Sequence, residues 1–146
     1  MKLIKIIFST FILFFLSGLT SSCNAQSSGK NQDRATLNNK EVKVYYFHFT
    51  RRCATCMAVE EQSRLAIESL YPEQIEEDLI SFEGINIEEE EGGKLARELG
   101  ISGQALLIVN GDQKMELTNE GFLYANSYPD KLKQILKQHI DPLLFQ

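Results

Sequence analysis

Apolar residues follow two different spacings along the chain, and the two spacings predict alternating strands and helices. Short apolar runs rich in β-branched and aromatic side chains predict four strands, over residues 42–49, 80–87, 105–109 and 113–117. Apolar residues spaced three and four apart predict helices over residues 53–70 and 88–99 and in a last segment that Pro129 opens. The predicted order of elements is therefore β-α-β-α-β-β-α.

The first predicted strand and the last predicted turn indicate how these elements assemble. Residues 42–49 are apolar on both alternating sets, which favours a central strand that is buried on both faces. Asn110-Gly111, between the third and fourth strands, is a two-residue hairpin signal. Gly100 stands directly after the second helix, where glycine commonly ends helices. The pattern is typical of an α/β fold.

The first 22 residues have the layout of a secretory signal peptide. Two lysines precede an apolar run over residues 6–16, and small and polar residues follow it. The run is too short for a membrane span, which needs about 20 apolar residues. Cys23 comes next and resembles the cysteine of the bacterial lipobox, although Thr20 stands where that family prefers leucine. The resemblance implies a lipid on Cys23, and the alternative is ordinary cleavage nearby that leaves Cys23 free.

Residues 23–40 are rich in asparagine, glutamine, serine and glycine and contain almost nothing to bury. This composition predicts a flexible tether, and it is followed by a folded domain over residues 41–146. Joined to a lipid on Cys23, the tether would hold that domain off a membrane. We therefore expect a periplasm-facing lipoprotein of a bacterial cell envelope.

Composition narrows the class of protein but indicates no activity. The chain has 146 residues, is 43% hydrophobic and carries a formal net charge of −5. It has the size of one domain with a little left over, and a nucleic-acid partner is not expected. Three cysteines are too few for a disulfide scaffold. An exported chain nevertheless meets an oxidising compartment, where a cysteine pair can form a disulfide.

A Cys-x-x-Cys motif, from Cys53 to Cys56, lies where the first predicted strand passes into the first helix. The positive end of a helix dipole stabilises a thiolate, and Arg51 and Arg52 add two cations beside it. We therefore expect the pKa of Cys53 to lie below the free value of about 8.5. Two thiols at this spacing can close a small disulfide and exchange it with a partner. Soft-metal or metalloid binding and a purely structural disulfide are the alternatives.

The order of strand, Cys-x-x-Cys motif, long helix, βα unit and hairpin resembles the thioredoxin superfamily. The resemblance extends from about Glu41 to Asp141. It implies a thioredoxin-like three-layer α/β/α sandwich with a central mixed four-stranded sheet. It also implies that Cys53 is the exposed attacking thiol and Cys56 the buried resolving thiol.

Three positions depart from the usual thioredoxin pattern. Arg52 stands where an aromatic residue usually precedes the first cysteine, and Phe47 stands where many relatives carry a buried acid. Ala105 is the best match to the cis-proline that faces the cysteine pair in relatives. His48 is a candidate to support the site, although a histidine within an apolar strand is more often a core residue. These departures favour a dithiol that is more open to another ligand.

Residues 45–60 resemble, more narrowly, a family of small exported thioredoxin-like subunits of nitrophenyl-compound nitroreductases, associated with aromatic arsenical resistance. The residues that carry this resemblance are Tyr46-Phe47-His48 and Arg52-Cys53-x-Thr55-Cys56. It implies a role in reducing nitroaryl compounds together with a partner subunit. Because the sequence has no flavin-binding signature, we expect no bound cofactor and a partner that supplies the electrons.

These observations predict an envelope-anchored dithiol–disulfide redox protein. Its expected partners are a second redox protein or reductase subunit and, through the lipid on Cys23, a membrane. The alternative is a lipoprotein that binds a soft metal or trivalent metalloid on the thiolates of Cys53 and Cys56.

Overall fold

A four-stranded mixed sheet forms the centre of the computed structural model, which describes residues 41–145. The predicted signal peptide, the tether and Cys23 lie outside the described residues. Within those residues, no helix combines the length and the apolar character that crossing a membrane requires.

The described elements follow the predicted order, with two additional short helices. The strands are β1 (Val42–His48), β2 (Ile80–Asn86), β3 (Ala105–Asn110) and β4 (Gln113–Glu116). The helices are α1 (Ala54–Leu70), α2 (Pro72–Glu76), α3 (Glu90–Leu99), α4 (Thr118–Tyr124) and α5 (Pro129–Leu144). Pro72 opens α2, a position at which proline suits a helix, and α4 was not predicted.

The strands lie in the order β2-β1-β3-β4. Strand β1 pairs in parallel with β2 and antiparallel with β3, and β4 pairs antiparallel with β3. The hairpin turn begins one residue later than predicted, because Asn110 pairs with Gln113 and leaves Gly111 and Asp112 at the centre of the turn. Gly111 has a φ of 57°, a conformation that glycine adopts without a steric cost.

One face of the sheet carries the larger hydrophobic core. Helices α1 and α5 supply most of its helical side chains, and partly buried side chains of α2 and α4 pack against it. Buried residues of α1 recur at the predicted helical spacing, as Cys56, Val59, Ser63, Ala66 and Ile67 show. This core fixes α1 against the strand from which the motif emerges.

The opposite face carries a smaller core under α3. Tyr45 and Phe47 of β1 pack there with Ala96 of α3 and with Ala105 and Leu107 of β3. Side chains of β1 thus alternate between the two cores, as expected for a central strand. Helices on both faces of a mixed four-stranded sheet confirm the predicted three-layer, thioredoxin-like α/β/α fold.

Helix α4 escaped prediction because it is short and has a glycine in its middle. A Cβ added to Gly121 would lie 3.0 Å from Val59 Cγ1 and 3.3 Å from Leu106 Cδ2. Glycine lowers helix propensity, but here it lets the helix approach α1 and β3 closely. The close approach depends on tertiary packing, and a propensity pattern along the chain does not record it.

Candidate active site

The motif cysteines form a disulfide at the junction of β1 and α1. Their Cα atoms lie 5.1 Å apart. Cys53 is the N-cap residue of α1, with extended backbone angles, and its Sγ accepts a hydrogen bond from the backbone N–H of Cys56 at 3.2 Å. Cys53 therefore places its sulfur at the N-terminus of α1.

The two sulfurs have different surroundings. Cys53 is exposed, whereas Cys56 is only 4% exposed and lies on the face of α1 that packs toward the sheet. An N-cap sulfur at the start of a 17-residue helix receives the helix dipole and a backbone donor, and both stabilise a thiolate. The geometry suits attack by Cys53 and resolution by Cys56, and these two roles stay predictions.

Gln104, in the loop between α3 and β3, contacts the disulfide. Its Oε1 lies 3.8 Å from Cys56 Sγ. A disulfide sulfur has no proton to donate, so this is a contact in the oxidised state and can become an S–H···O hydrogen bond after reduction. Sequence reasoning missed Gln104, although its position directly before a buried strand, beside the residue matched to the cis-proline, pointed to it.

Ala105 itself packs away from solvent, in the smaller core. It is 2% exposed and pairs with Phe47 across the sheet. The sequence singled it out as a possible support for the site because it matches the cis-proline. The contact with Cys56 comes from its neighbour Gln104, and the supporting role of Ala105 stays a prediction.

The two arginines before the motif have unequal environments. Arg52 forms an ion pair with Glu60 of α1, and the two side chains are 28% and 27% exposed. Arg51 is exposed and takes part in no ion pair within residues 41–145. Their predicted effect on the pKa of Cys53 is untested, but the carboxylate beside Arg52 offsets part of its charge.

His48 ends β1 on the face that Tyr46 also occupies. Its Nδ1–H donates to the carbonyl oxygen of Phe49 at 3.0 Å, and its ring centroid lies 6.1 Å from that of Tyr46. Among residues 41–145, no hydrogen bond joins His48 to either sulfur. Its predicted support of the site stays a prediction.

A hydrogen-bonded clamp holds the segment between β1 and the motif. The backbone N–H of Thr50 donates to Glu88 Oε2 at 2.7 Å, and Asn86 Nδ2 donates to Thr50 Oγ1 at 3.0 Å. Hydrogen bonding from the side chain and the backbone of Thr50 lowers the pKa of Glu88 below its ordinary value. The backbone N–H groups of Glu88 and Glu89 donate to Asn86 in a turn, and α3 begins at Glu90, two residues later than predicted.

The part of the chain that the structure describes gathers no group of three or more histidine, cysteine or acidic side chains suited to a metal ion. The two sulfurs are the soft donors at this site. A metal or metalloid held here would therefore take both of them, and only after the disulfide had been reduced.

No known protein-family model matches the chain, and no curated protein sequence matches it. Solved structures similar to it include the thioredoxin of Fasciola hepatica, at 14% identity and a TM-score of 0.45, over 75% of this chain and 88% of that one. Mitochondrial thioredoxin 3 of Saccharomyces cerevisiae, in oxidised form, is 16% identical with a TM-score of 0.44, over 75% and 86%. The structure of a malarial protein gives 15% identity and 0.46, over 68% and 98%. The fold assignment stands on the strand order and helix placement described above.

Proposed function

We propose that this protein is an envelope-anchored thiol–disulfide redox protein that exchanges disulfides with a protein partner. The observation that supports it most is the asymmetric pair: Cys53 is exposed at the start of α1, and Cys56 is buried one turn further on. A short loop constrains the unfolded chain little, so a disulfide of this spacing adds little stability as a staple. Exchange is the chemistry that such a pair does well.

The exchange proceeds in two balanced steps. The Cys53 thiolate attacks one sulfur of a partner disulfide, the partner S–S bond breaks, and the other partner sulfur leaves as a thiolate. The Cys56 thiolate then attacks Cys53 Sγ, closes the internal disulfide and releases the second partner thiolate. Two electrons pass to the partner, whose thiolates take up protons, and the reverse sequence oxidises the partner.

Gln104 is suited to assist the resolving step. Once the pair is reduced, Gln104 Oε1 can accept from the Cys56 thiol, and when that buried thiol ionises, rotation of the amide can turn an Nε2–H toward the thiolate and stabilise it. Gln104→Leu keeps much of the side-chain volume and removes both amide atoms. We expect this variant to slow release of the mixed disulfide severalfold while leaving its formation by Cys53 unchanged.

The test is a disulfide-exchange assay on the full chain with defined mixtures of reduced and oxidised glutathione. We expect a single two-electron equilibrium that Cys53→Ser and Cys56→Ser both abolish, while Cys23→Ser, which alters the cysteine outside the pair, leaves it unchanged. Cys56→Ser should accumulate a mixed disulfide on Cys53. A pair that exchanges with neither glutathione nor a protein disulfide would refute the proposal.

The support for anchoring in the envelope consists of two sequence features, the signal-peptide layout and Cys23. The full chain expressed in a bacterium should fractionate with membranes and carry a lipid mass on Cys23. Cys23→Ser should release it without changing the glutathione equilibrium. An unmodified Cys23 in the mature chain would remove the anchor from the proposal and leave the exchange chemistry intact.

Reduction of nitroaryl compounds, linked to arsenical detoxification, is the finer form of the proposal, and the resemblance of residues 45–60 is its support. Cells producing the protein with its reductase partner should consume a nitrophenyl compound faster than cells with Cys53→Ser. If the reduced protein instead binds one arsenite tightly and stays inert toward disulfides, the metalloid-binding alternative replaces the redox function.

A further inference from the structure

A glycine on the edge strand makes room for the acid that pairs with Arg52. A Cβ added to Gly84 would collide with Glu60 Oε1 and would lie 2.9 Å from Glu60 Cδ. The carboxylate of Glu60 therefore rests directly over the backbone of β2. Arg52 Nη1 donates to the other carboxylate oxygen, Glu60 Oε2.

The register of the sheet places this ion pair close behind the motif. Gly84 is the partner of Tyr46 in β1, so the seat of the carboxylate lies beside a side chain on the α1 face of the sheet. Burial raises the pKa of Tyr46 to about 12, and the positive charge of Arg52 opposes that rise. The guanidinium of Arg52 thus acts on Tyr46 as well as on its acid.

Arg52 is also the residue directly before Cys53, so its guanidinium can interact with either the Cys53 sulfur or the Glu60 carboxylate. A guanidinium turned toward the sulfur stabilises the Cys53 thiolate, and one held at Glu60 offers less of its charge to it. A guanidinium closer to the sulfur would consequently shift the equilibrium between dithiol and disulfide toward the dithiol. Arg51, the other cation beside the motif, has no such acid in the described part of the chain.

We propose that Glu60, seated over Gly84, is a positioning residue that holds the Arg52 guanidinium away from the Cys53 sulfur and so limits how oxidising the disulfide is. The inference rests on the proposed redox function. It assigns a role to a strand residue, Gly84, that lies 31 positions after Cys53 in the chain. Gly84 has this role because it lacks a Cβ, and the Glu60 carboxylate occupies the space that a Cβ would fill.

The test is a double-mutant cycle on Arg52 and Glu60, read out as the equilibrium constant with glutathione. Glu60→Gln should shift the equilibrium toward the dithiol by about threefold, the size expected of a partly exposed charge pair. In the Arg52→Gln background the same change should have much less effect. If Glu60 acted only through its own charge, the shift would be equal in both backgrounds, and that result would overturn the proposal.

Two further variants isolate the seat from the charge. Gly84→Ala alters no charge, yet it should shift the equilibrium in the same direction as Glu60→Gln, because the carboxylate has to leave the strand. Glu61→Gln removes an acid from the neighbouring position of α1, where the acid pairs with Arg64 instead, and should shift the equilibrium little. A shift from Glu61→Gln as large as that from Glu60→Gln would contradict the inference.

A second readout separates this inference from the proposed function. The rate of alkylation of reduced Cys53 across pH reports its thiolate even in a protein that exchanges with no disulfide. Glu60→Gln should raise this rate at mildly acidic pH, and Arg52→Gln should cancel the gain. Failure to exchange with glutathione would refute the redox function, whereas an unchanged alkylation profile in Glu60→Gln would refute the positioning role.

Discussion

The two faces of the sheet bury very different amounts of the chain. Among residues 41–145, the core between the sheet and α1 and α5 contains fifteen buried apolar residues, and the core under α3 contains five, each with partly exposed neighbours. The motif lies at the end of β1, where a helix of the larger face begins and a loop of the smaller face is clamped to Thr50. The larger core therefore holds α1 firmly, while hydrogen bonds from Asn86 and Glu88 hold Thr50, three residues before Cys53.

The largest expected effect compares two adjacent leucines of β3. Leu106 is buried in the larger core and Leu107 in the smaller one. Truncation of a buried leucine to alanine costs about 2–5 kcal/mol, and the cost is higher where the surroundings cannot relax. We expect Leu106→Ala to lower the free energy of unfolding more than Leu107→Ala does in urea denaturation of the oxidised protein. Equal losses would mean that the two cores are equally rigid.

Gly121→Ala tests the close approach of α4 to the larger core. The added methyl meets Val59 and Leu106 at 3.0 and 3.3 Å. Overpacking of this kind costs about 1–3 kcal/mol, and helix propensity returns up to about 1 kcal/mol of it. We expect a net loss in the free energy of unfolding. Asn119→Ala, at an exposed position of the same helix, is the control and should not destabilise the protein.

Tyr71→Phe removes a hydrogen bond made by a residue of the larger core. Tyr71 is 1% exposed, and its hydroxyl donates to Asp141 Oδ1 at 2.8 Å. A hydrogen bond to a charged acceptor contributes about 1.5 kcal/mol, which is the expected loss in the free energy of unfolding. Tyr128→Phe, at an exposed position, should lose nothing and serves as the control.

The contribution of Tyr71 should also depend on pH. The hydrogen bond from Lys137 lowers the pKa of Asp141, and the hydrogen bond from Tyr71 adds to this. A lowered folded-state pKa means that the stabilisation is complete above the unfolded-state value of about 3.9 and is lost as the pH falls through the folded-state value. The difference between Tyr71→Phe and the parent should therefore shrink in acid. A constant difference would show that Asp141 is not the partner that matters.

The smallest effect is local and lies on the α3 side. Glu88→Ala should speed hydrogen exchange of the Thr50 amide severalfold, because the carboxylate is the acceptor for that N–H. Since hydrogen bonding lowers the pKa of Glu88, the protection should persist to lower pH than for an ordinary glutamate and fall as the pH passes its folded-state pKa. Glu91→Ala, in the first turn of α3, is the matched control. Equal exchange in both variants would contradict the clamp.

Much of the fold could be predicted from local patterns. The β-branched and aromatic run of β1 and the helical spacing of α1 each record burial directly, so these elements appeared at their observed positions to within a residue or two. The hairpin turn and the start of α3 were each misplaced by a residue or two. The register of the strands decides the turn, and a turn closed by hydrogen bonds to Asn86 precedes the helix start.

The sequence by itself determined the strand-to-helix junction that carries Cys53 and Cys56, because strand, helix and motif spacing are all local properties. Only the tertiary structure decided which groups surround that junction. Gln104 meets Cys56 across 48 positions of the chain, and Gly84 receives the acid that holds Arg52. Each of these contacts depends on the register between strands and on the distance at which a helix packs over them. A pattern of apolar and polar positions specifies which face is buried, but it does not specify which side chain of a distant segment arrives there.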